Sequence, residues 1–311
     1  MKSITIVLFF ISITRIAIAA PEMDSGIHGP TYDKLLAETN SWAIENPETL
    51  KIIDYGKSVE GRQLRLLILM KDMELSDRPT FLMSGSTHGN EYLEIEMELP
   101  KRLIKKQNDS GIVQEYLNRG GAIVFIPILN PDGYHHRRRE NAKGKDLNRD
   151  WDIPKANFKG LTQPETKQLA DILESLTYPP FNFRYRVTVD YHCCGGALLY
   201  PWAYTKSKLP EPDLSRHKNL AKEAETILSI KSGTTGEILG YYPMGSTKDY
   251  YYSKYGSLSF TFEGRHREEN KYLNAHETWW ETMLNSQWLN PQHFDFNLNE
   301  HWSFWKSPLF P

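Results

Sequence analysis

Apolar positions along the chain alternate between helical and strand spacing, and that alternation is the first structural signal. Helical spacing runs from Thr31 to Glu45, with Leu35, Leu36 and Trp42 on one face, and from Glu91 to Lys106, with Leu93, Met97, Leu103 and Ile104 on one face and Pro100 as an expected kink. It recurs over Gln163–Leu176, Leu214–Leu228 and Ala275–Trp288. Short apolar runs read as strands: Leu50–Tyr55 and Leu64–Met70 flanking the turn Ser58-Val59-Glu60-Gly61-Arg62, then Thr80–Ser84, Ala122–Leu129, Val187–Tyr191 and Leu258–Phe262. Apolar strands interleaved with helices predict a mostly parallel sheet covered on both faces. In such sheets sites gather where strands end and loops begin.

The first residues break this pattern. Met1-Lys2 is followed by a largely apolar stretch, Ile4 to Ile13, and then by small residues at Ala17-Ile18-Ala19. This is the layout of a signal peptide over residues 1–19, and ten apolar residues fall short of the ~20 that span a bilayer. Arg15 is unusual between the apolar run and the cut; a membrane-tethered anchor is the other reading. The expected mature chain, 20–311, is one domain, exported to a periplasm or the extracellular space, with no stable membrane anchor after cleavage. Its formal charge is 35 − 39 = −4 once Lys2 and Arg15 are removed from the 37 cations of the full chain. That leaves no basic field for a nucleic-acid partner. Composition is otherwise that of a globular protein, and two cysteines cannot build a disulfide scaffold.

Three segments each end an apolar strand with residues that bind metals: Ser84-Gly85-Ser86-Thr87-His88-Gly89-Asn90-Glu91, Val189-Asp190-Tyr191-His192 and Ser259-Phe260-Thr261-Phe262-Glu263. His88 and Glu91 are close enough to grip one ion as strand turns into helix, and His192 can supply a third ligand from another strand. Two imidazoles and a carboxylate make the open, catalytic zinc pattern, with a position left for water. Singly, a histidine at a strand end is more often a hydrogen-bonded structural residue. The weight lies in the three segments together.

Between them lie Asn130-Pro131-Asp132-Gly133, then Arg139-Glu140-Asn141-Ala142, then Asp146-Leu147-Asn148-Arg149-Asp150-Trp151. With Gly56-Lys57-Ser58-Val59-Glu60-Gly61-Arg62 before them and Leu199-Tyr200-Pro201-Trp202 and Phe260-Thr261-Phe262-Glu263 after, the chain resembles the zinc carboxypeptidase family, peptidase family M14, over almost the whole mature length. The His2Glu ligand set is the one established for carboxypeptidase A. The resemblance implies an α/β three-layer sandwich whose mixed, mainly parallel sheet has about eight strands with helices on both faces. It implies one zinc ion per chain held by His88, Glu91 and His192. Glu263 would take a proton from the attacking water and pass it to the leaving amine. Arg139 would stabilise the oxyanion, and Asn148 and Arg149 would bind the free C-terminal carboxylate of a peptide or peptidoglycan-derived substrate. Tyr241, 22 residues before Glu263, stands at the offset of the family's mobile capping tyrosine, with Tyr242 one position away. Removal of a single C-terminal residue is the activity implied.

Departures from the family pattern refine this picture. Lys248, 15 residues before Glu263, falls where the family places the base of its side-chain pocket. An unpaired buried ammonium is costly and a substrate carboxylate satisfies it, so the expected preference is C-terminal Glu or Asp, or an acidic group of a cell-wall peptide. The plainer reading pairs Lys248 with Asp249 or sends it to solvent. Asn90 replaces a basic residue of digestive members, and Asp150 either pairs with Arg149 or repels an anionic substrate. A domain beginning near Tyr32 leaves no room for a long zymogen pro-segment. Cys193-Cys194 is expected as free, packed thiols, because adjacent Cα atoms lie about 3.8 Å apart across a trans bond. The aromatic-rich extension 288–311 is expected to pack as irregular chain, with a partner or cell-wall contact the lesser reading. Rival functions are a peptidase for γ-D-Glu or diaminopimelate linkages in peptidoglycan, an amidohydrolase for N-acyl amino acids, and an inactive binding module. His-Gly-Asn-Glu also occurs in the acylase branch, but Tyr200-Pro201-Trp202 and the tyrosines before Glu263 argue against it.

Overall fold

In the computed structural model, residues 29–265 and 269–285 are described. Strands β1 (Leu50–Lys57), β2 (Gln63–Met70), β3 (Arg78–Gly85), β4 (Ala122–Ile126), β5 (Phe183–Cys193), β6 (Ala197–Tyr200), β7 (Lys231–Thr234) and β8 (Leu258–Gly264) form one sheet in the order β1-β2-β4-β3-β5-β8-β6-β7. The pairs β4–β3, β3–β5, β5–β8 and β6–β7 are parallel, and the other three are antiparallel. The sheet is therefore mixed and mainly parallel, as the alternation of elements predicts.

The strands are apolar on both faces because both faces are covered. Leu67, Leu69, Phe81, Val189, Tyr191 and Phe262 point into one core, shared with α1 (Tyr32–Glu45), α2 (Ile95–Lys106), α3 (Ile112–Asn118), α6 (Asp213–Leu228) and α9 (Leu273–Asn285). Leu66, Ile68, Leu82, Val124 and Tyr185 point into the other, against α5 (Pro164–Ser175) and α8 (Thr247–Tyr255). Each fully buried aromatic such as Phe81 or Phe262 contributes about 1.5–3 kcal/mol from area burial alone. Two further short helices, α4 (Pro131–His136) and α7 (Thr235–Leu239), complete the set of α-helices among the described residues.

Helix α1 begins where expected: the Thr31 side chain accepts the Lys34 N–H and caps it. The second helix does not. It starts at Ile95 rather than Glu91, because Glu96 is fully buried and holds the preceding loop, accepting from the Ser86 hydroxyl at 2.6 Å and the Leu93 N–H at 3.3 Å. Pro100 lies inside a helix that continues through it. Residues 1–28 and 286–311, the expected leader and the C-terminal extension with the end of the last expected helix, lie outside the described residues. No helix among the described residues is long and apolar enough to cross a membrane.

Candidate metal centre and substrate cleft

Parallel pairing aligns the C-terminal ends of β3, β5 and β8, and the candidate residues meet there. His192 on β5 is in register with Glu263 on β8, and β3 runs out at Gly85 into the loop that carries His88 and Glu91. Strand alternation does the rest: with Val189 and Tyr191 in one core, Asp190 and His192 face the opposite side.

His88, Glu91 and His192 come together. His88 Nδ1 lies 2.9 Å from Glu91 Oε2, His192 Nδ1 lies 3.0 Å from the same oxygen, and the two Nδ1 atoms are 3.1 Å apart. The far side of each ring meets a carboxylate: His192 Nε2 is 2.7 Å from Asp190 Oδ2, and His88 Nε2 is 3.0 Å from Asp146 Oδ1. Nε2–H donating to those carboxylates fixes both tautomers, which leaves both Nδ1 atoms as lone-pair donors. Three electron-pair donors then face one another at contact distance, an arrangement that a cation resolves. Ligand bonds of about 2.0–2.1 Å at tetrahedral angles set donors about 3.3 Å apart, so the triangle fits zinc after a small expansion.

The charges are arranged to match. Burial opposes ionisation of Glu91, but the imidazoles of His192 and His88 against it hold its carboxyl well below the usual range. Burial likewise opposes charge on Asp146, and His88 with Arg139 keeps it ionised. Asp190 is fully buried; His192 and the Ser84 hydroxyl, donating at 2.7 Å, hold it low against desolvation. Arg139 donates from Nη1 to Glu91 Oε1 at 3.0 Å and from Nε to Asp146 Oδ2 at 3.1 Å, so it borders the metal centre. Asp146 and Asp190 carry no role in the sequence reading. Their signals are Asp146's place beside Asn148 and Arg149 and the two-residue strand spacing of Asp190 and His192.

On the α8 side lie the remaining candidates. Asn148 is buried, and its Oδ1 accepts from the Thr247 N–H and hydroxyl at 2.9 and 3.0 Å. Arg149 donates to the Asn148 carbonyl at 2.7 Å and forms no ion pair among the described residues. Lys248 is 3% exposed and has neither a hydrogen bond nor an ion pair among the described residues. Burial lowers its pKa, partly offset by the charges of Asp249, Glu263 and Asp190. The plainer reading of Lys248 is not what the structure has, because Asp249 turns away and accepts from the Ala203 N–H at 2.9 Å and the Tyr204 N–H at 3.3 Å. Asp150 does not pair with Arg149: it accepts from the Thr162 hydroxyl at 2.6 Å and the Gln163 N–H at 2.9 Å at the start of α5. Tyr241 and Tyr242 are 48% and 41% exposed, between α7 and α8. Tyr242 lies beside Lys206, while the Tyr241 hydroxyl makes no hydrogen bond among the described residues.

Cys193 and Cys194 correct an expectation. They are joined in a disulfide rather than free; their peptide is cis, so the Cα atoms stand 3.1 Å apart and the trans spacing behind the expectation does not apply.

A mixed eight-stranded α/β sandwich with a His2Glu centre at its strand ends defines a metallohydrolase of the carboxypeptidase type. Residues 35–287 match the zinc carboxypeptidase family, peptidase family M14, and the chain belongs to it. The chain is 28% identical to carboxypeptidase SOL1 of Arabidopsis thaliana over 265 residues, covering 76% of this chain and 50% of that protein. It is 25% identical to carboxypeptidase A1 of Mus musculus over 292 residues, covering 80% of this chain and 67% of the relative. The chain thus spans half the length of the plant relative and about two thirds of the mouse one. In fold it resembles thrombin-activatable fibrinolysis inhibitor, with a TM-score of 0.69 at 18% identity, covering 83% of this chain and 74% of that one.

Proposed function

We propose that the protein is an exported metallocarboxypeptidase that removes one C-terminal residue and prefers Glu or Asp in that position. The observation that carries the preference is a pair of neighbouring cations, Arg149 and Lys248, that form no ion pair among the described residues, with Lys248 in the field of Glu263. Zinc at the His88–Glu91–His192 set supplies Lewis-acid activation of water and of the scissile carbonyl. Around it, Glu263 accepts the proton of the attacking water and returns it to the departing amine. Arg139 faces the charge that develops on the carbonyl oxygen. Arg149, seated by Asn148, binds the terminal carboxylate, a planar fork against a planar anion. Lys248 receives the side-chain carboxylate and gains the counter-charge its burial lacks. Tyr241, exposed between α7 and α8, closes over the bound residue. Export rests on the apolar stretch from Ile4 to Ile13.

An inactive binding module is disfavoured because His88, Glu91, His192 and Glu263 are all present and adjacent. The deciding experiment is mass spectrometry of products from a mixed pool of peptides and muropeptides, with Glu263→Gln as control. Release of Glu and Asp ahead of Phe and Arg, abolished by Glu263→Gln and converted to an apolar preference by Lys248→Ile, is expected. Faster release of Phe or Arg by the native enzyme contradicts the pocket assignment, and products from muropeptides alone shift the substrate to the cell wall.

A further inference from the structure

Peptide hydrolysis makes no use of one feature of the site, the disulfide that immediately follows a metal ligand. Its surroundings are specific. The Cys193 N–H donates to Glu91 Oε2 at 3.3 Å, the oxygen that also faces both imidazoles. Gly195 lies against the base, so close that a Cβ there would fall 3.2 Å from Glu263 Cβ. The Gly196 N–H donates to the Gly264 carbonyl at 3.1 Å, tying the same short segment to the residue after Glu263. Cys193 is half-buried under this arrangement, whereas Cys194 is exposed. The disulfide-closed pair thus sits on a metal ligand and leads directly into the glycine packed on the proton-transfer carboxylate, and its second cysteine is exposed.

We propose that Cys193–Cys194 is a thiol–disulfide exchange site through which a dithiol reductant lowers the activity of the enzyme. One thiolate of the reductant attacks the exposed Cys194 sulfur, and the Cys193 sulfur leaves as a thiolate. The reductant's second thiolate then displaces Cys194 from the mixed disulfide. The net transfer is two electrons and two protons, producing Cys193 and Cys194 thiols and one disulfide in the reductant. Opening the ring returns backbone freedom to Cys193, Cys194 and Gly195. The N–H on Glu91 and the packing on Glu263 are then no longer held by a covalent link. This inference rests on the assignment of His88, Glu91 and His192 as zinc ligands.

The test uses the full-length protein in zinc-buffered solution. Aliquots taken during treatment with a dithiol are freed of it by desalting without air and divided: one half is alkylated and weighed, and the other is assayed for zinc dissociation constant by chelator competition and for kcat/KM on a peptide ending in Glu. The expected result is that appearance of two alkylatable thiols brings a loss of about tenfold in both zinc affinity and kcat/KM, the scale at which outer contacts act on a metal centre. Reoxidation restores them. Cys193→Ser/Cys194→Ser starts at the reduced level and does not respond to the dithiol. Two thiols in the untreated protein overturn the proposal, as do unchanged zinc affinity and kcat/KM after full reduction, or a double variant that responds like the native chain. Should the variant not fold, reduction and reoxidation of the native chain decide alone. Should the oxidised protein hydrolyse nothing, the hydrolytic reading fails, and the zinc measurement still judges the exchange site.

Discussion

At the residue scale, the centre is built as much by what touches the ligands as by the ligands. Asp190 accepts from the Ser84 and Thr87 hydroxyls at 2.7 and 3.0 Å and from His192 at 2.7 Å, so its carboxylate is held by three donors. Its charge favours the tautomer that leaves His192 Nδ1 free for metal. Asp190→Asn keeps the shape and removes the charge; zinc affinity is expected to fall about 10–100-fold. Chelator competition measures this, with circular dichroism confirming the fold, and an unchanged affinity sinks the role. The ligands themselves are legible in the sequence because each follows a strand and the three segments occur together. Asp190 is not, because a carboxylate two residues before a histidine has meaning only once the pair is known to share a strand face. Lys248 is legible as a departure from a family position, but its freedom from Asp249 depends on two backbone N–H groups of Ala203 and Tyr204 that no sequence pattern announces.

At the element scale, long strands and amphipathic helices are readable and short or wholly buried ones are not. Strand β6 has four residues, and in α8 Thr247 through Tyr252 are consecutively buried, so no polar face marks a helical period. The loop before α2 escapes the sequence pattern for a related reason: Glu96, polar in sequence, serves as an internal strut. One element carries a pH dependence. In α6, His217 Nδ1 donates to the Asp213 carbonyl at 2.8 Å, and Nε2 accepts the Ser259 N–H of β8 at 3.1 Å. Only the neutral ring makes both bonds, and burial lowers its pKa to about 4 from 6.5. The unfolded chain therefore binds this proton first as pH falls. The contribution is fully present above pH ~6.5 and is lost towards pH ~4, amounting to at most about 3 kcal/mol. Denaturant titrations between pH 7 and 4 are expected to show this loss, and His217→Gln to flatten it. An equal slope in that variant assigns the acid sensitivity to other groups.

At the scale of the whole molecule, the metal ties together chain segments that are far apart in sequence. His88 and His192 approach beyond the β3–β5 pair, which is also joined by ladder bonds, packing and the Ser84–Asp190 hydrogen bond. An ion bound by the folded chain alone stabilises it by about 4 kcal/mol at a thousandfold excess over Kd. In a domain of this size each kcal/mol is worth roughly 2–4 °C in Tm. Zinc is thus expected to raise the melting temperature by several degrees over the chelated protein, by calorimetry. Glu91→Ala should abolish the difference; a chelated native sample melting with the loaded one denies the metal any structural part.

The bond between Asn148 and Thr247 reaches further than either residue. The short turn that ends in Arg149 and the first residue of α8, one before Lys248, are fastened to each other. The two backbone positions from which the cationic side chains spring accordingly keep their spacing. Whatever the pocket then makes of the methylene by which Glu and Asp differ falls to the reach of the two long side chains, because the backbone that carries them is pinned.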